Sequence, residues 1–205
     1  MTTSATTRVT FLGLAVLALA ACGKKDNSAV DTTAASSTMS TDTSAMAGAA
    51  SSTSSTGNWS DANIVALLDE ANAADSAAGS IAATKGTAAA VRDFGRRMMR
   101  DHHQLRAQGA ALAKKLNVTP AAPSDDPVQP MATSETNTLN STAKGKDFDK
   151  AYIDAEVSAH KAVLDLATKG AAQTQTAELK NLIQKAAPIV QGHLDKAESI
   201  QKTLK

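Results

Sequence analysis

Three histidines and two acids fall where a helical reading of the chain expects apolar side chains. At about 100° per residue, Asp75 lies near the centre of one apolar stripe. His102 falls one turn from Met98 on a second stripe, and Glu156 one turn from Tyr152 on a third. His160 flanks that third stripe, and His193 sits at the centre of a fourth. Deprotonated carboxylates and neutral imidazoles are lone-pair donors, and a helical core fixes their directions, so such a set can hold a transition metal. His102, Glu156, His160 and His193 are the candidate ligands. The two carboxylates and two histidines that point most directly inward, Asp75, His102, Glu156 and His193, are too few for an ordinary two-metal site and leave a mononuclear site open. The alternative is a buried polar layer in which His102, Tyr152, Glu156 and His193 satisfy one another, as buried polar groups must. A His–Glu pair in that layer is expected to raise the imidazole pKa and lower that of the carboxylate. Counting residues from the turns puts Glu156 level with His193, but Asp75 about 9 Å from the level of His102. Asp75 is therefore assigned to a structural ion pair with Arg97. Asp101 is placed to pair with Arg97 or with an imidazole, and His103 faces solvent.

The elements that carry these residues follow from periodicity. Ile64, Leu67, Leu68, Ala71, Ala78 and Ala82 share one helical face behind Ser60, a plausible N-cap. A second helix spans about Thr87–Leu116. Pro120, Pro123, Pro127 and Pro130 mark a loop, with a short helix over Met131–Ala143. A third long helix covers about Asp147–Lys169 and ends at Gly170. The last covers about Thr176–Leu204, with a kink expected at Pro188. No strand-like alternation occurs. The expected fold is all-α: an antiparallel four-helix bundle with a long Pro-rich middle connection, over residues 58–205.

The first 57 residues read differently. Arg8 and the apolar stretch Val9–Ala21 precede Leu19-Ala20-Ala21-Cys22, and Cys22 is the only cysteine. This is a secretory signal that resembles the lipobox of bacterial lipoproteins. The resemblance implies cleavage after residue 21 and acylation of Cys22. The residue after Cys22 is Gly23 rather than the Asp that marks inner-membrane retention in enteric lipoproteins, which favours the outer membrane and its periplasmic face. Residues 22–57 are expected to be a lipidated N-terminus and a Ser/Thr/Ala-rich disordered tether, reaching about 30–35 Å.

Removing residues 1–21 leaves 20 basic and 20 acidic side chains. That neutral balance, with one Trp, one Tyr and three Phe in the whole sequence, offers neither the basic face nor the stacking platforms of a nucleic-acid binder. The chain has no cysteine nucleophile besides Cys22, no Gly-x-Ser-x-Gly and no phosphate-binding glycine loop, so no catalytic residue is assigned.

The segments Phe94-Gly95-Arg96-Arg97-Met98-Met99-Arg100-Asp101-His102 and Lys146-Asp147-Phe148-Asp149-Lys150-Ala151-Tyr152, with His160, Pro188 and His193-Leu194, resemble a family of bacterial envelope proteins. That family is known mainly as a domain of unknown function and is commonly labelled an outer-membrane protein. The resemblance spans Ser60–Leu204 and implies a ferritin-like four-helix fold and an envelope location, with no established reaction. Three functions remain open: a non-enzymatic, lipid-anchored periplasmic module of envelope maintenance or stress; a metal-binding ferritin-like protein, with iron or a similar ion; and a helical interaction module. The membrane, reached through the anchor, is the one partner implied.

Overall fold

The computed structural model describes residues 57–204, which fold into five helices with no strand among them. They are α1 (Asp61–Lys85), α2 (Ala89–Lys115), α3 (Val128–Ser141), α4 (Lys146–Gln173) and α5 (Ala177–Gln201). The signal segment, Cys22 and the tether lie outside the described residues. Helices α1 and α2 form one closely packed hairpin and α4 and α5 another, while α3 packs on α1 and α4.

Local chemistry sets the helix ends. Ser60 caps α1 through a capping box: its Oγ accepts from the Asn63 amide at 3.3 Å, and Asn63 Oδ1 accepts from the Ser60 amide at 3.0 Å. Asn117, at φ 54°, ends α2 in a Schellman turn, with the Val118 amide on the Ala113 carbonyl at 2.9 Å. The start of α2 has no cap of its own. Asp149 of α4 supplies one, accepting from the amides of Thr87 at 2.8 Å and Ala88 at 2.7 Å. That contact ties the two hairpins together near one end. At the other, Asp61 accepts from the hydroxyls of Thr174, at 2.6 Å, and Thr176.

Two expected boundaries need correction. The short helix begins at Val128, not Met131, because Pro127 is its N-cap and Pro130 falls in its first turn, where an amide proton has no helical acceptor to lose. Helix α4 continues past Gly170 to Gln173. A Cβ at Gly170 would lie 3.1 Å from Ile64 Cγ2, so this glycine serves close packing rather than termination. Helix α5 runs through Pro188.

The core is two apolar clusters. One holds Ile64, Leu67, Ala71, Leu105, Val163, Leu166, Ile183 and Val190, and the other Ala78, Met98, Phe94, Tyr152, Val157, Leu194 and Ile200. In every helix the change from one cluster to the other falls at a polar side chain: Asp75, His102, Glu135, His160 and His193. The hairpin α1–α2 is closely packed at Gly79 and Gly95. A Cβ on Gly79 would stand 2.6 Å from the Gly95 carbonyl, and one on Gly95 would stand 2.6 Å from the Gly79 carbonyl. Only glycine at both positions lets the two backbones approach this far.

Candidate metal centre

The polar layer brings three of the chain's four histidines together. The rings of His102 and His193 lie 5.0 Å apart between centroids, and each is 5.5 Å from the ring of His160. All three are at most 1% exposed. One donor nitrogen of each lies within 4.8 Å of the other two. His103, adjacent to His102, faces solvent as its position on α2 requires.

Each ring is fastened by one nitrogen. His102 Nδ1 donates to Asn72 Oδ1 at 2.8 Å, His160 Nδ1 to the Glu156 carbonyl at 2.9 Å, and His193 Nε2 to Asp101 Oδ2 at 2.8 Å. These acceptors carry no proton to give, which fixes the tautomers. The remaining nitrogens, His102 Nε2, His160 Nε2 and His193 Nδ1, are buried and have no hydrogen-bond partner. A ring N–H held by an oxygen and a bare nitrogen opposite is the arrangement that metal-ligating histidines adopt.

Electrostatics keeps those lone pairs free. Burial, reinforced by His160 and His193, holds His102 down to about 3. Burial and the neighbouring His193 hold His160 to about 4. Burial also lowers His193, against the opposing pull of Asp101. All three imidazoles are therefore neutral at neutral pH. The carboxyl groups move the other way. Burial, then the nearby Glu135, raises Asp75 well above its usual range. Burial, then Asp75 and Glu135, does the same to Glu156. Glu135 is pushed by burial up to about 7. The expected exchange of charge between a histidine and a glutamate is thus reversed: His160 Nδ1 and Glu156 Oε2 lie 3.3 Å apart, but loss of water outweighs their attraction and both prefer the neutral form. The mutually satisfied layer forms only in part: Tyr152 and Glu156 interact through their side chains, but the bare nitrogens of His102, His160 and His193 have no hydrogen-bond partner.

The Asp75–Arg97 ion pair is not formed. Asp75 is buried with its Oδ2 3.4 Å from His102 Nδ1, and Arg97 binds Asp101 at 3.2 Å. Asp101 therefore meets both partners expected of it, Arg97 and the His193 imidazole. Burial alone would raise the Asp101 carboxyl, but its hydrogen bonds to His193 and Arg97 outweigh that and hold it low. Glu156 groups with Asp75 and His160 within 4.8 Å, and not with His102 and His193. Sequence reasoning missed two contributors. Asn72 sits three residues before Asp75, on the same face. Glu135 interrupts the stripe formed by Val128 and Leu139, and is the one acid of α3. On the far side of Asn72, an apolar cavity of about 310 Å³ is lined by Leu105, Val163, Ile183 and Val190.

No curated protein matches the chain by sequence. A solved structure, CopM in the Cu(II)-bound form, shares its fold with a TM-score of 0.60 at 12% identity, over 73% of this chain and 100% of that one. The family model for a domain of unknown function, DUF4142, matches residues 42–200, so the chain belongs to the DUF4142 family.

Proposed function

We propose that this domain holds a transition-metal ion, copper foremost, on His102, His160 and His193, and that it does so as a lipid-anchored protein of the bacterial envelope. The observation that carries the reading is the set of three buried rings, each with one nitrogen anchored and the other bare. Three nitrogen donors with bonds of about 2.0–2.1 Å satisfy all three orphaned atoms at once. Neutral imidazole suits copper, zinc, iron and nickel, and copper(II) binds such donors most tightly of the first-row divalent ions. CopM, seen with Cu(II) on a similar fold, agrees with that choice. The four long helices are read as a ferritin-like four-helix bundle with α3 laid against it. Complete burial of the ligands favours holding an ion over turning over a substrate, which fits a non-enzymatic envelope module. The anchor rests on the Leu19–Cys22 pattern and the polar segment behind it.

The test is copper binding by the full chain, purified without chelator and titrated against a competing chromophoric chelator. One copper per chain is expected. Substituting His102, His160 or His193 by alanine should weaken it by more than about 100-fold, whereas His103→Ala should leave it unchanged. Copper affinity that is the same in all four variants refutes the assignment.

A further inference from the structure

The three-histidine site leaves a second group of buried side chains unused. Asp75 of α1, Glu135 of α3 and Glu156 of α4 are 2%, 9% and 0% exposed. Asp75 Oδ2, Glu135 Oε1 and both carboxyl oxygens of Glu156 are buried without a well-formed hydrogen bond, the Tyr152 hydroxyl being the polar group that interacts with Glu156. Among the described residues no Lys or Arg is paired with any of the three. The basic groups beside them are imidazoles, His102 at 3.4 Å from Asp75 and His160 at 3.3 Å from Glu156. Three carboxyl groups from three helices thus share one interior with no Lys or Arg paired to them. Protein interiors avoid this unless a proton or a cation completes the set.

The geometry suits a cation. Asp75, Glu156 and His160 each place a donor atom within 4.8 Å of the others, and Glu135 stands with Asp75 along a narrow gap between α1 and α3, beside Ala71, Val128 and Met131. We propose that Asp75 and Glu156, with Glu135 alongside Asp75, form a second cation site that adjoins the three-histidine site at His160, for a hard divalent ion of the Mn²⁺ type. The two halves of the layer differ in donor chemistry. Nitrogen on one side selects copper-like ions, and carboxylate oxygen on the other selects manganese-like ones. Two carboxylates also neutralise a divalent charge, which three neutral imidazoles cannot. The proposal does not rest on the copper reading, since Asp75, Glu135 and Glu156 are not part of the three-histidine set.

The test titrates Mn²⁺ into the full chain already holding one equivalent of copper, with free Mn²⁺ followed by its six-line electron paramagnetic resonance signal. One Mn²⁺ per chain is expected. The near-isosteric double variant Asp75→Asn, Glu156→Gln should lose Mn²⁺ while keeping copper and its helical circular dichroism, and Glu135→Gln should weaken Mn²⁺ by about 10-fold. His193→Ala, which removes copper, should still bind Mn²⁺. Absence of Mn²⁺ binding by the copper-loaded wild type overturns the second site and leaves the copper reading standing, and so does Mn²⁺ binding that the folded double variant retains. Mn²⁺ bound and lost as expected in a chain that takes up no copper supports the second site and refutes the copper reading instead.

Discussion

Replacing Glu135 by glutamine should make the metal-free protein less sensitive to alkaline pH, by an amount set by the burial of that side chain. Glu135 is nearly enclosed, and burial lifts its pKa from 4.5 to about 7. The folded state therefore holds the Glu135 proton more tightly than the unfolded chain does. The resulting stabilisation is fully present below about pH 4.5 and is lost as pH rises through about 7. At 1.36 kcal/mol for each pH unit between the two values, this is worth about 3 kcal/mol. Glutamine keeps the shape and cannot ionise. The stability of Glu135→Gln relative to wild type should therefore shift in the variant's favour by about 3 kcal/mol between pH 4.5 and 8.5. Removing the repulsion that Glu135 exerts on Asp75 and Glu156 acts in the same direction. For a domain of this size, the shift is about 6–12 °C in melting temperature. The assay is urea unfolding of chelator-treated protein, followed by helical circular dichroism across that pH range. Comparing variant with wild type at each pH cancels the titration of the histidines, which is common to both. A difference that stays constant within about 0.5 kcal/mol from pH 4.5 to 8.5 would show that Glu135 titrates as an ordinary surface acid, and the account of the buried carboxyl set would fail.

Asp101→Asn should weaken copper binding by about 10–100-fold, because an amide there no longer fixes the His193 tautomer by charge; chelator competition reads the change, and an unaltered affinity would separate Asp101 from the site. Gly95→Ala should destabilise the fold by about 1–3 kcal/mol in urea unfolding, since its Cβ meets the Gly79 carbonyl at 2.6 Å; a neutral result would mean that α1 and α2 can part without cost. Cys22→Ser should abolish incorporation of radiolabelled palmitate in a bacterial host, and undiminished labelling would refute the lipid anchor.

Much of the helical framework was legible because its signals are local. Apolar residues at helical spacing announce the four long helices, and Ser60 announces the start of α1. The errors arose where tertiary contact decides. Gly170 reads as a helix stop, but α4 passes through it because Ile64 needs the space. Pro127 and Pro130 read as loop, though at the start of a helix a missing amide costs nothing. The cap of α2 lies sixty residues away, on Asp149, beyond the reach of any local pattern. Glu135 is not legible in the sequence, because one acid in a short polar helix looks solvated unless α3 packs on α1 and α4.

The site itself shows how far register can be read from sequence and where it slips. Level across a hairpin is ordinarily counted from the turn, with each side chain taken as perpendicular to its helix. Side chains instead lean toward their own helix N-terminus. On the first helix of an antiparallel hairpin that lean points away from the turn, and on the second it points toward it. Two residues whose side chains meet must then have unequal counts, the larger on the second helix. Asp75 lies ten residues before the end of α1 and His102 thirteen after the start of α2. His160 lies thirteen before the end of α4 and His193 sixteen after the start of α5. Both pairs carry the same offset of three residues, about 4.5 Å of rise, and both meet. Glu156 and His193, seventeen and sixteen residues from the turn, have nearly equal counts and lean apart. The same geometry thus returns Asp75 to the polar layer, releases Arg97 to Asp101, and moves His160 from the flank of its stripe to the centre of the site. A count of residues selects the right level of the domain, and the direction of the Cα–Cβ bond selects which side chains touch there.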